Sequence, residues 1–120
     1  MIFSDLSAFK NLKNLTYLSL WKCYKINDIS DVKCLTNIEW LEIYCKNIID
    51  ISALKHCTKI KHLELNGTTV KDYSVLLELP ELKSGVIDSN VLTEDMLKAL
   101  EEKGVAVYER ERTEESNVNN

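Results

Sequence analysis

The chain has 120 residues, 45% of them hydrophobic and 28% charged, which suits one soluble globular domain. Its formal net charge is −4, whereas binding to nucleic-acid phosphates needs clustered Lys and Arg, so we expect no nucleic-acid partner. The N-terminus lacks the basic region and long apolar run of a signal peptide or membrane span, which predicts a cytoplasmic protein that does not associate with membranes.

A three-residue motif, Asp-x-Ser, recurs from the start of the chain. Its copies begin at Asp5, Asp28, Asp50 and Asp72, at intervals of 23, 22 and 22 residues. A fixed period of about 20 residues or more indicates a solenoid with one structural unit per period. Residues 1–14 hold the first copy with no strand before it, so we expect a partial N-terminal repeat whose open end can self-associate.

A second motif, an aliphatic Leu-x-x-Leu-x-Leu pattern, begins at Leu15, Ile38, Ile60 and Leu82. Its alternation predicts short strands, and the crossover between successive copies favours parallel pairing. The predicted strands are Tyr17 to Trp21, Trp40 to Tyr44, His62 to Asn66 and Ser84 to Asp88. The aspartates are expected to accept backbone N–H bonds where tight helical turns begin on the opposite side.

Together the two motifs resemble the leucine-rich repeat family, L-x-x-L-x-L-x-x-N/C-x-L, in its short-repeat, internalin-like type. The resemblance implies an α/β leucine-rich repeat solenoid, with repeats over 15–92. Its curved parallel sheet would have about five short strands, with helical turns on the convex side and a C-terminal capping helix. Cys23, Lys46, Thr68 and Asn90 stand at the asparagine position, so the internal asparagine ladder of the family is mostly missing.

The C-terminal part, residues 93–108, is predicted to be a cap. Thr93 precedes acidic residues and an apolar run that stops at Lys103 and Gly104, which are helix start and stop signals. A closing strand, Val105 to Tyr108, follows, and residues 109–120 are predicted to form a disordered tail because they are charged and poor in apolar residues.

The four cysteines are expected to be reduced thiols in a cytoplasmic chain. Cys57 takes the place of a core leucine of the other repeats. Cys23 and Cys45 are 22 residues apart and could be neighbours, which leaves open a disulfide or a metal pair, although no Cys/His cluster with ligand spacing accompanies them. No Gly-rich phosphate loop follows a strand, so no cofactor is expected.

The concave face, meaning the side of the sheet away from the leucines, is the candidate binding surface. Side chains that alternate with the inward leucines place both tryptophans there, and none of the 15 Lys and Arg residues. The predicted partner-binding residues are Tyr17, Trp21, Trp40, Glu42, Tyr44, His62, Glu64 and Asp88. Aromatic anchors among carboxylates predict a basic protein partner. The alternative is that the rings only cover aliphatic edges of the sheet.

An enzymatic interpretation can also be built on this face. Ser84 and His62 are one period apart, with Glu42 and Glu64 nearby, so a nucleophile, a base and an orienting carboxylate can be named. A regular sheet offers no oxyanion hole because its N–H groups are used in the ladder, so we expect a non-catalytic protein-binding module. Its narrower role would be an inhibitor or immunity protein that neutralises a toxin, and the alternative is a structural or assembly fragment of a larger repeat protein.

Overall fold

The computed structural model describes residues 5 to 111, which contain one five-stranded parallel sheet in the order β1-β2-β3-β4-β5. The strands are β1 (Tyr17–Trp21), β2 (Trp40–Tyr44), β3 (His62–Leu65), β4 (Ser84–Asp88) and β5 (Ala106–Arg110). The register follows the sequence period, so that Leu18 pairs with Leu41 and Leu41 with Leu63. Equivalent residues of successive repeats therefore form columns across the sheet.

Short 3-10 helices lie on the other side of the sheet. They span Ser7–Phe9, Ser30–Cys34, Ser52–His56 and Ser74–Glu78. In each repeat the aspartate of Asp-x-Ser accepts a hydrogen bond from the serine N–H two residues on, from 2.7 Å at Asp28 to 3.0 Å at Asp5. The predicted backbone N–H bonds to these aspartates are thus present, as Asx turns that begin one residue before each N-cap.

The hydrophobic core lies between the sheet and the 3-10 helices. The inward residues of the strands, such as Leu41 and Ile43, are fully buried, as are Val32 and Leu54 of the 3-10 helices opposite. Cys57 is also fully buried, in the place of a core leucine. The core therefore runs from repeat to repeat without interruption, as expected for a solenoid.

The C-terminal cap contains α1 (Glu94–Glu102) followed by β5. Thr93 caps the helix by accepting a hydrogen bond from the N–H of Met96 at 3.1 Å. The helix ends before Gly104, whose φ of 90° belongs to the left-handed region. The Lys103 ammonium donates to the carbonyl of Leu79 at 2.7 Å, so the end of α1 is fastened to the last repeat.

Two strand boundaries differ from the predicted ones. β3 ends at Leu65, one residue early, because Asn66 turns into the following loop. β5 runs to Arg110, beyond the predicted end at Tyr108, so residues 109 and 110 belong to the sheet rather than to a tail. The rest of the predicted tail from 112 onward, and residues 1–4 of the partial repeat, lie outside the described residues.

Candidate functional site

One row of stacked rings crosses the first three strands on the concave face. The register aligns Tyr17, Trp40 and His62 as one column. The Tyr17 and Trp40 ring centroids are 6.2 Å apart, and those of Trp40 and His62 are 3.9 Å apart. Tyr17 and Trp40 keep 52% and 40% of their surface exposed, so this row offers apolar area to a partner.

A second row lies at the other end of the same strands. Trp21 stacks on Tyr44 with a centroid distance of 4.1 Å, and Trp21 remains 54% exposed. The Arg110 guanidinium lies 5.6 Å from the Tyr44 ring centroid, a cation–π distance. We call the two arrangements the Tyr17 row and the Trp21 row.

Glu42 lies between the two rows and is bonded to three side chains. Its carboxylate accepts hydrogen bonds from Tyr17 OH at 3.1 Å, Ser19 Oγ at 3.0 Å and Trp40 Nε1 at 2.6 Å. Desolvation works to raise the pKa of Glu42, but the bonds from Trp40, Ser19 and Tyr17 stabilise the charged form and together hold the pKa below its usual range. The carboxylate therefore remains charged while it fixes the orientation of two rings.

Glu64 occupies the equivalent position on β3. It accepts a hydrogen bond from the Tyr44 hydroxyl, and its Oε2 lies 2.8 Å from His62 Nε2. Burial, the bond to Glu64 and the charge of Glu64 raise the pKa of Tyr44 to about 12, because each of them favours the neutral phenol. Glu42 and Glu64 together form an acidic strip between the two rows of rings.

The structure brings together the three groups of the enzymatic interpretation. His62 Nδ1 lies 2.7 Å from Ser84 Oγ, while Nε2 of the same ring lies 2.8 Å from Glu64. An acyl-transfer site also needs N–H donors at the developing oxyanion. The Ser84 N–H is already bonded to the carbonyl of Lys61 at 3.2 Å, so the nucleophile's own amide is not available for that task.

Asp88 is placed differently from its prediction. The sequence put Asp88, with Asn66, on the open concave face, but their exposed fractions are 3% and 4%. Asp88 accepts hydrogen bonds from Asn66 Nδ2 at 3.2 Å and from the Gly67 N–H at 2.8 Å. Since β3 has ended before Asn66, this carboxylate stabilises the loop after the strand and does not project toward a partner.

Two concave-face residues were missed from the sequence, and both belong to β5. The register pairs Tyr108 with Val86 and Arg110 with Asp88. Tyr108 is 62% exposed, and Arg110 donates a hydrogen bond from Nη1 to the Tyr44 hydroxyl at 3.3 Å. The expectation that no Lys or Arg lies on this face was therefore wrong. Extending the alternation of the closing strand from 106 to 110 would have found both residues.

The other predicted binding residues form one continuous surface. Seven of the eight lie in the two rows and the acidic strip: Tyr17, Trp21, Trp40, Glu42, Tyr44, His62 and Glu64. Only Asp88 is separated from them by burial. Four of the rings are held in position by the two carboxylates, Tyr17 and Trp40 by Glu42 and Tyr44 and His62 by Glu64.

The cysteines lie outside this surface and are free thiols. Burial raises the pKa of the Cys45 and Cys57 thiols to about 11, which keeps both protonated and unreactive. Within residues 5 to 111 no group of three or more His, Cys, Asp and Glu side chains could hold a metal ion. No helix in the same range is long and apolar enough to cross a membrane.

Solved structures with the same fold identify the architecture. An internalin (inlF) from Listeria monocytogenes has a TM-score of 0.75 at 26% identity, over 92% of this chain and 33% of the internalin. The chain has the leucine-rich repeat fold of the internalin-like type. Internalin C2 of the same species (TM-score 0.65, 24% identity, 88% of this chain and 50% of that one) shares the fold.

A leucine-rich repeat protein of Leptospira interrogans also has this fold, with a TM-score of 0.56 at 18% identity over 82% of this chain and 32% of that one. This leucine-rich repeat chain thus spans a third to a half of the length of the three structures. No protein-family model matches it, and the search of curated proteins found no match. The shared architecture supports a protein–protein interaction module in general.

Proposed function

We propose that this chain is a non-catalytic module that binds a basic protein on its concave face. The supporting observation is that Tyr17, Trp21 and Trp40 remain 52%, 54% and 40% exposed while they are stacked and, at Tyr17 and Trp40, bonded to Glu42. Exposed, oriented aromatic rings are the side chains that most often dominate binding energy. The adjacent carboxylates of Glu42 and Glu64 favour a positively charged partner.

The narrower form of this proposal is an inhibitor or immunity protein that neutralises a toxin. A basic catalytic cleft, such as that of a nuclease, has the positive charge that the acidic strip would attract. The two rows of rings would then exclude water around the central charges of the contact.

The second candidate is a structural or assembly role, and it rests on a different part of the molecule. Among residues 5 to 111, β1 has a sheet neighbour on one side only, and Leu12, which precedes it in the chain, is 48% exposed. In this case the contact surface would be the β1 edge rather than the concave face.

The test of the concave face is capture of a partner from the native lysate, followed by binding kinetics of variants. Trp40→Ala should cost about 2 kcal/mol of binding, close to thirtyfold in affinity, mainly through faster dissociation. Glu42→Gln with Glu64→Gln should slow association and weaken its dependence on salt. The matched control is Tyr24→Ala, since Tyr24 is a 57% exposed ring outside both rows.

Thermal melting should first show that each variant is folded. Loss of affinity in Trp40→Ala but not in Tyr24→Ala supports the concave face as the binding surface. The proposal is wrong if Trp40→Ala and the Glu42→Gln, Glu64→Gln double variant both bind the captured partner with the affinity of the unmodified protein. The β1 edge then becomes the better candidate for the contact surface.

A further inference from the structure

The Arg110 side chain extends across the concave face toward Tyr44. It starts on β5 and reaches the hydroxyl of Tyr44 on β2, at 3.3 Å. β5 and β2 are three strand spacings apart, about 14 Å. The Arg110 and Tyr44 side chains together span this distance, over the intervening positions of Asp88 and Asn66, which are both buried.

Arg110 is a weakly held occupant of this position. A guanidinium has five N–H donors in a rigid fork. Among residues 5 to 111, the Arg110 guanidinium has one hydrogen bond, to the neutral Tyr44 hydroxyl, and stacks over the same ring at 5.6 Å. A long, flexible side chain that is held by one bond to a neutral hydroxyl and one cation–π contact is easily displaced.

The surface under Arg110 is suited to a guanidinium that makes more hydrogen bonds there than Arg110 does. The ring of Tyr44 is already stacked on Trp21 at 4.1 Å, and its hydroxyl donates to the Glu64 carboxylate. The Asn66 Oδ1 atom is buried and has no hydrogen-bond partner in the described part of the chain. A planar cation can stack on the ring while its fork reaches acceptors, which a lysine ammonium cannot do.

We propose that the concave face recognises an arginine side chain of its partner at the position that Arg110 covers in the isolated chain. This inference rests on the proposed function and specifies the chemistry of the partner. Arg110 then acts as a built-in competitor: the partner's arginine binds over Tyr44 only when Arg110 has moved away. The apparent affinity is lowered by the fraction of molecules in which the position is covered.

The experiment uses Gly-Gly-Arg-Gly-Gly amide as a probe, with lysine and citrulline versions of the same peptide. An NMR titration that follows the indole N–H signals of Trp21 and Trp40 reports where the peptide binds. Arg110→Ala should bind the arginine peptide about fivefold more tightly than the unmodified protein, because a surface cation–π contact of ordinary strength no longer competes. The shifts should be largest at Trp21, which stacks on Tyr44.

Three further variants distinguish displacement of Arg110 from a change in net charge, from loss of a long side chain on β5 and from loss of the Tyr44 ring. Lys83→Ala removes the same unit of charge from an exposed side chain that makes no contact with Tyr44, so its effect should be far smaller. Arg110→Gln keeps a long polar side chain on β5 and should also bind more tightly than the unmodified protein. Tyr44→Ala should abolish the preference for arginine over lysine.

The proposal is overturned if Arg110→Ala and Lys83→Ala have equal effects, if the lysine or citrulline peptide binds as well as the arginine peptide, or if Arg110→Ala weakens binding. Failure of the broader function has a different signature, namely a captured partner that is indifferent to Trp40→Ala. If Trp40→Ala loses the captured partner but the concave face does not prefer the arginine peptide, only the proposal of an arginine-binding position is refuted. The broader proposal of partner binding on this face would stand.

Discussion

Glu42 organises the candidate site at the scale of single residues. Its carboxylate accepts hydrogen bonds from Tyr17 and Trp40, which are neighbours in the Tyr17 row, and from Ser19, its register partner on β1. A carboxylate with several donors is stabilised in its charged form. The carboxylate and the rings therefore stabilise each other. The hydrogen bonds from Tyr17 and Trp40 stabilise the charged form of Glu42, and the same bonds fix the orientation of the two rings.

The lowered pKa of Glu42 has a consequence for stability. Because the folded state holds the proton less tightly than the unfolded state, the contribution of Glu42 is fully present above the ordinary carboxyl range and is lost as the pH falls toward the lowered pKa. We expect Glu42→Gln to reduce the loss of thermal stability between neutral and acidic pH. Melting curves over this pH range measure it, with Glu81→Gln, an exposed acid outside the site, as the control. If the melting temperature of Glu42→Gln falls with decreasing pH as steeply as that of the unmodified protein, Glu42 does not contribute to the pH dependence of stability.

The sequence located most of this site because alternation along a strand and the repeat period together fix the columns. Tyr17, Trp40 and His62 were predicted as neighbours one period apart, and their rings are in contact. Asp88 and Arg110 were misjudged for different reasons. Asp88 is bonded to Asn66 and Gly67 of the loop after β3, a contact between repeats that strand alternation does not report. Arg110 lies on a strand that continues two residues beyond its predicted end.

At the scale of elements, the Asx turns decide where each 3-10 helix begins. The carboxylate of Asp50 accepts the Ser52 N–H at 2.8 Å, and Asp72 does the same for Ser74. The bonds from the following serine, first from its N–H and then from its side chain, lower the pKa of both aspartates. The repeated Asp-x-Ser motif thus supplies a hydrogen-bond acceptor for the backbone N–H of the serine at the start of each helix.

Replacing one of these aspartates tests that explanation. Asp50→Ala leaves the Ser52 N–H without its acceptor and should lower the free energy of unfolding by about 1 kcal/mol. Asp50→Asn keeps an acceptor oxygen and should retain most of the stability. The control is Asp31→Ala, which removes an acid within the Ser30–Cys34 helix rather than before it. Chemical denaturation measures the three values, and equal losses in Asp50→Ala and Asp31→Ala would refute the capping role.

Strand limits were predictable in the repeats and less so at the end of the chain. β1, β2 and β4 begin and end as predicted, because each has a buried leucine or isoleucine at alternate positions. β5 has exposed residues on both faces over most of its length, so its hydrophobic pattern fades before the strand does. Pairing with β4 keeps Glu109 and Arg110 in the sheet, and no pattern within the segment reports that pairing.

At the scale of the whole molecule, the two ends of the sheet differ in charge. Residues 5–77 contain ten Lys against eight Asp and Glu, whereas residues 78–111 contain four Lys and Arg against nine Asp and Glu. β1 lies at the first end and β5 at the second. The edge strands at the two ends lie in regions of opposite net charge, which favours head-to-tail contact between copies of the chain. Such contacts build an open-ended assembly unless the rotation between copies closes a ring.

The orientation of β1 shows how such a contact would form. The carbonyl of Thr16 accepts from the Trp40 N–H, and the Lys22 N–H donates to the carbonyl of Tyr44. Even-numbered residues of β1 therefore face β2, and the N–H groups of Tyr17, Ser19 and Trp21 point away from it. These three N–H groups face the edge of the described sheet, where a strand of a second copy would pair with them.

We therefore predict self-association that grows with concentration and weakens as salt is added, because the attraction between the ends is screened. Ser19→Pro removes an outward N–H without breaking a bond to β2, so it should lower the average mass in light scattering at low salt. Ser19→Ala is its control, since it also loses the hydroxyl that donates to Glu42 but keeps the N–H. A monomer at every concentration, or equal association of the two variants, would show that the β1 edge is not a contact between copies.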